Sequence, residues 1–172
     1  MRHSERIVVR RQLGTEYDSV ALYLFTLAAA ESDGLKRQKL TGFLVLSGVT
    51  AVEVRLKTFL EEFAASHNPI FAVYVRATLE KTNAKVRLND LYDYATRFGE
   101  DVRDNLKERL KRVDELALRR ANTSVKASYE NLLTWRNNFA HEGSVTCTFE
   151  EARLAIRCAC LILRQFELAI SG

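Results

Sequence analysis

Apolar positions recur along this chain at steps of three and four residues, the period of helices that each bury one side. The pattern predicts a helix over 15–32, with Thr15 as its N-cap and Asp18 three residues on. A long helix follows over 36–65. Leu40, Phe43, Leu44, Ser47, Val54 and Phe59 form its apolar face, and Gly42 and Gly48 let a neighbour approach closely. Asn68-Pro69 stops that helix and starts another over 70–81. Asn89 caps a short helix containing Leu91, Tyr92, Tyr94 and Phe98, which Gly99 ends. Residues 101–118 are amphipathic, with Val102, Leu106, Leu110, Val113 and Ala117 at helical steps, and a further helix covers 124–142. Thr148-Phe149-Glu150-Glu151 is a capping box that opens a last helix, apolar almost all round and therefore expected in the core. Residues 6–13 alternate basic and β-branched side chains and read equally as a strand, a short helix or a loose arm.

Composition agrees with an all-α helical bundle. A single proline and seven glycines leave few helix breaks in 172 residues, a length that suits one domain over 1–172 with a sizeable core. With 47% hydrophobic and 28% charged residues the chain is neither disordered nor membrane-like. Its longest apolar run, residues 20–30, is too short for a bilayer, which needs roughly 20 residues as helix. The N-terminus has no apolar stretch followed by a small-residue cleavage site, so the cytosol is the expected compartment. Cys147, Cys158 and Cys160 are odd in number and lack zinc-ligand spacing, so they read as small hydrophobes.

The chemistry is concentrated in Arg136-Asn137-Asn138-Phe139-Ala140-His141, preceded by Trp135 and followed by Glu142-Gly143. Arginine offers a rigid fork of donors that matches phosphate oxygens, and histidine passes protons near neutral pH. Arg136 and His141 are five apart, so a helix rotates them by about 140° and they do not stack. Asn137 and Asn138 lie four and three residues before His141, where an amide can sit beneath the imidazole and orient it. Leu132, Trp135 and Phe139 take the opposite register, widened by Leu133 and Ala140, and predict a buried side. Gly143 is placed just past the helix end, where a left-handed residue is needed.

The run RNNFAH resembles the signature of the HEPN superfamily of small helical ribonucleases: Arg, often Asn directly after it, and His after four to six intervening residues, here the shortest spacing of four. The match covers Arg136, Asn137 and His141. The resemblance implies a helical bundle of the HEPN type with extra short helices, a homodimer whose two motifs face one cleft, and metal-independent cutting of single-stranded RNA. Arg136, Asn137 and His141 would then be catalytic, with Asn138 and Glu53 behind them, and no cofactor or metal is expected. His141 would act as general base or acid, Arg136 would stabilise the charged phosphorane, and Asn137 would orient the imidazole or bind the RNA backbone. The resemblance further implies a toxin or defence nuclease held in check by a cognate antitoxin protein. The competing reading is a non-catalytic HEPN-like module that binds a partner protein or a nucleotide.

Other charged groups carry less. Glu53 reads two ways, as a buttress for Arg136 from the facing helix or as part of a solvated face paired with Lys57. Arg97, Arg103, Arg109, Lys111, Arg112, Arg119 and Arg120 cluster, but Glu108, Asp114 and Glu115 are interleaved and read as a charged helix face. A net charge of +4 permits an RNA partner without requiring one. His3 and His67 have no convincing partners.

Overall fold

The computed structural model describes residues 16–81 and 86–172, and the described residues form seven α-helices. They are α1 (Glu16–Ala30), α2 (Gly34–His67), α3 (Pro69–Lys81), α4 (Leu88–Thr96), α5 (Glu100–Ala121), α6 (Val125–Glu142) and α7 (Phe149–Ser171). The segment 6–13 and the Thr15 cap lie outside the described residues.

The two longest helices, α2 and α7, run through the middle of the bundle. Both pack on α6, α1 lies mainly on α2, α3 leans on α2 alone among its principal contacts, and α5 closes the bundle against α4, α6 and α7. The core between them holds Val45, Leu106, Leu132, Ile162 and Phe166, all sealed from solvent. Burying each such side chain stabilises the fold by about 1.5 to 3 kcal/mol before the entropy of ordering is counted. Ala21, Ala28, Leu44 and Phe149 form a smaller cluster beneath α1. Arg55 on α2 holds Glu167 on α7 through two bonds of 2.8 and 3.0 Å. This fork orients α2 on α7.

Local signals set most boundaries. Thr148 Oγ1 accepts from the Glu151 N–H, and the Glu151 carboxylate accepts from the Thr148 N–H at 2.7 Å. Those bonds hold the Glu151 carboxyl below the usual carboxylate range. Ser124 caps α6 by accepting from Ala127 N–H, and Asp114 accepts from the Ser124 hydroxyl at 2.9 Å. Asn68 opens α3, its side-chain Oδ1 accepting from the Ile70 N–H at 2.9 Å.

Four expectations need correction. Asn89 is not the cap of α4: the helix begins at Leu88 with Arg87 in the cap position, and Asp90 reaches back to accept from the Arg87 N–H at 2.9 Å. Gly99 does not end α4, which stops at Thr96, but starts α5 from a φ of 143° that favours glycine. On α2 the buried face is Thr41, Leu44, Val45, Val49, Val52 and Leu56, whereas Phe43 is half exposed and Ser47, Val54 and Phe59 are only partly covered. The glycines explain the rotation. Cβ atoms at Gly42 and Gly48 would collide with Phe139 of α6 and Ile156 of α7, so the points of closest approach fix which side of α2 turns inward. Helix α7 likewise is not wholly in the core: Glu151, Leu154, Arg157, Arg164 and Leu168 are exposed along it.

Candidate active site

The RNNFAH run occupies the last two turns of α6, and α2 passes antiparallel beside it. Phe139 is the anchor. It is 8% exposed, its ring fills the space over Gly42, and it meets Phe43 edge to face with centroids 5.1 Å apart. Trp135 packs against the core but is only partly buried, and Ala140 is exposed, so the buried stripe of α6 is narrower than its sequence pattern predicts.

The end of the helix is fixed on both sides of the chain reversal. Gly143 adopts a left-handed φ of 66°, and its N–H returns to the Phe139 carbonyl at 2.9 Å. From α2, the Lys39 ammonium donates to the Gly143 carbonyl at 2.6 Å, and the Gln38 amide donates to the Val145 carbonyl at 3.0 Å. A cation at this end also suits the helix dipole. Local sequence spacing did not single out Lys39 and Gln38, because their partners lie more than a hundred residues away.

The site residues differ in exposure. Asn137 and His141 are exposed, and Arg136 and Asn138 are partly covered. Arg136 Nη1 donates to Asn137 Oδ1 at 3.2 Å, so these two act as one unit. Among the described residues neither amide bonds to the His141 ring, and the imidazole stands in the last turn. Arg136 lies one turn before Phe139 on α6, and its charge acts on Glu53 of α2. Burial pushes the Glu53 carboxyl above its ordinary value of 4.5, although Arg136 and then Lys57 pull it down. Glu53 itself is partly buried, and Lys57 stands one turn along its own helix.

This sign leads to a prediction. A carboxyl whose folded pKa is raised contributes stability that is present below its unfolded value and is lost as pH rises through the folded one. Glu53→Gln should therefore melt higher relative to the parent at neutral pH than at pH near 4. Thermal unfolding of both proteins across that range checks this, and a constant difference would remove Glu53 from the titrating groups.

Away from the motif, three arginines of the α5 cluster are engaged. Arg103 pairs with Glu100 and Asp104, Arg112 with Glu108 at 2.9 Å, and Arg109 bonds to Asn105. Cys147 and Cys158 are buried thiols, and burial pushes Cys147 up to about 11. His67 packs on Phe63 at the end of α2, with ring centroids 4.5 Å apart. Among the described residues no three His, Cys, Asp or Glu side chains gather as metal ligands would, and no helix is long and apolar enough to cross a membrane.

Compared with known families, residues 18–172 match the one described as RiboL-PSP-HEPN. Neither a curated protein nor a solved structure matches the chain. The matched region takes in all of α2 to α7 and the whole RNNFAH run. The all-helical bundle and the family match agree, and the chain belongs to the RiboL-PSP-HEPN family of the HEPN superfamily.

Proposed function

We propose that the protein is an endoribonuclease that cuts single-stranded RNA without a metal, as a homodimer. The observation that carries this reading is the Arg136-Asn137 unit and the exposed His141, presented on the last two turns of a helix clamped by Phe139 and Lys39. Rigid support of this kind is what positioned proton transfer needs.

In the proposed reaction the RNA 2′-hydroxyl loses its proton to a histidine and its oxygen attacks the adjacent phosphorus. The bond to the 5′-oxygen breaks, and that oxygen takes a proton from a second imidazole. The products are a 2′,3′-cyclic phosphate and a 5′-hydroxyl. His141 of one protomer and the partner's His141 would share the base and acid roles. Arg136 stabilises the charge that develops on the phosphorane, with its fork oriented by Asn137. Asn138 and Glu53 support the helix face and the arginine respectively. A toxin or defence role, with a cognate antitoxin protein as regulator, is the biological setting that this chemistry suits.

Cleavage of single-stranded RNA in the presence of EDTA, followed alongside sedimentation at micromolar concentration, tests the proposal. A dimer that cuts under these conditions is the expected result, whereas a strictly monomeric active species would remove the shared site. A second reading, a non-catalytic HEPN-like module for a partner protein or nucleotide, draws on the outer face of α3. There Ile70 is 82% exposed, and Val73 and Tyr74 are exposed beside it. Absence of cleavage together with tight partner binding would favour it.

A further inference from the structure

We infer that the seam between α2 and α6 is a nucleotide subsite, in which the ring of Phe43 stacks on an unpaired base and Lys39 and Arg136 hold the phosphates on either side. The inference rests on the ribonuclease reading for its substrate and on separate residues for its geometry.

Lys39 and Phe43 are four apart on α2 and share one face. Facing them, Arg136, Phe139, Ala140 and Gly143 follow at i, i+3, i+4 and i+7 along one stripe of α6. The two rows meet in order. Lys39 holds the Gly143 carbonyl at 2.6 Å, Phe43 meets Phe139, and Arg136 lies one turn beyond Phe139 in the direction away from Lys39. An aromatic ring is thus bracketed by two cations. Arg136 and Gly143 are seven residues apart, about 10 Å along the helix axis.

Phe43 is 50% exposed, unusual for a large ring at the point of closest helix approach. Its interplanar angle of 80° to Phe139 means that it is held edge to face. A ring fixed this way loses little freedom when a base stacks on it, and any base can do so because each has a π-face. The surrounding charge favours a polyanion over a protein surface. Lys36, Arg37 and Lys39 are all exposed on the first turns of α2, a run of positive charge that suits a phosphate backbone. Glu53 and the exposed Glu142 are the carboxylates near the seam, and Glu53 faces Lys57 as well as Arg136.

The test uses the full chain and a short, fluorescein-labelled 2′-O-methyl single strand, which cannot be cut, in two forms: one with all its bases and one abasic at successive positions. Anisotropy should show that Phe43→Ala weakens the complete strand by at least about fivefold and leaves the abasic strand nearly unchanged. Phe43→Trp should retain binding, and the new indole should be quenched when the strand is added. Lys39→Ala should weaken both strands alike and flatten the salt dependence. Equal loss on both strands, no loss, or loss explained by dissociation of a dimer in sedimentation would overturn the subsite, as would failure of Phe43→Trp to bind. A parent that binds with this pattern yet never cuts RNA keeps the subsite and removes the nuclease. A parent that cuts RNA with Phe43→Ala binding unchanged does the reverse, and no binding by the parent removes both.

Discussion

His141→Ala should lower the rate of single-stranded RNA cleavage by about 10²- to 10⁴-fold, the usual contribution of a positioned general acid or base. The side chain stands exposed in the last turn of α6, where it fills no core space, so the variant should keep the helicity and melting temperature of the parent. Arg136→Ala should lose as much activity through a different route, because charge on the phosphorane would go unanswered. It should also free the Asn137 carbonyl and leave Glu53 facing only Lys57, a small change at a partly covered position. Initial rates and circular dichroism on the same preparations separate the cases. An unfolded His141 variant, or one that cuts as well as the parent, would withdraw the catalytic assignment.

Phe139→Ala should instead destabilise the protein by roughly 3 to 5 kcal/mol, because the ring is nearly buried and its removal leaves a hole over Gly42. At 172 residues that corresponds to a melting temperature lower by about 6 to 20 °C. Activity should fall with it even below the melting range, since the same ring ties the motif to α2. Trp135→Ala should cost clearly less, because Trp135 is only partly covered. Denaturant melts of the two variants rank them, and equal losses would mean that α6 is not anchored at Phe139.

What the sequence made legible was local. The Thr148–Glu151 box and the left-handed Gly143 are read correctly because each signal and its bond lie within a few residues. The inward face of α2 was harder. Thr41 looks polar yet is buried, since its hydroxyl donates back to the Arg37 carbonyl at 2.8 Å, while Phe43 looks like core and stands half exposed. Periodicity supplies an apolar stripe but not the rotation of a long helix packed on several neighbours, which here depends on Gly42 and Gly48. Residues of the motif were visible because family spacing marks them. Lys39 and the Arg55–Glu167 fork were not, because each joins positions over a hundred residues apart and no local period records that.

The chemistry itself is decided by the ends of the RNA. Substrate cut in EDTA by the parent protein should carry a 2′,3′-cyclic phosphate upstream and a 5′-hydroxyl downstream, and a single 2′-deoxy substitution at the scissile nucleotide should block cutting without blocking binding. Products with 5′-phosphate ends, or cleavage that appears only when Mg²⁺ is added, would contradict attack by the 2′-oxygen and the roles given to His141 and Arg136.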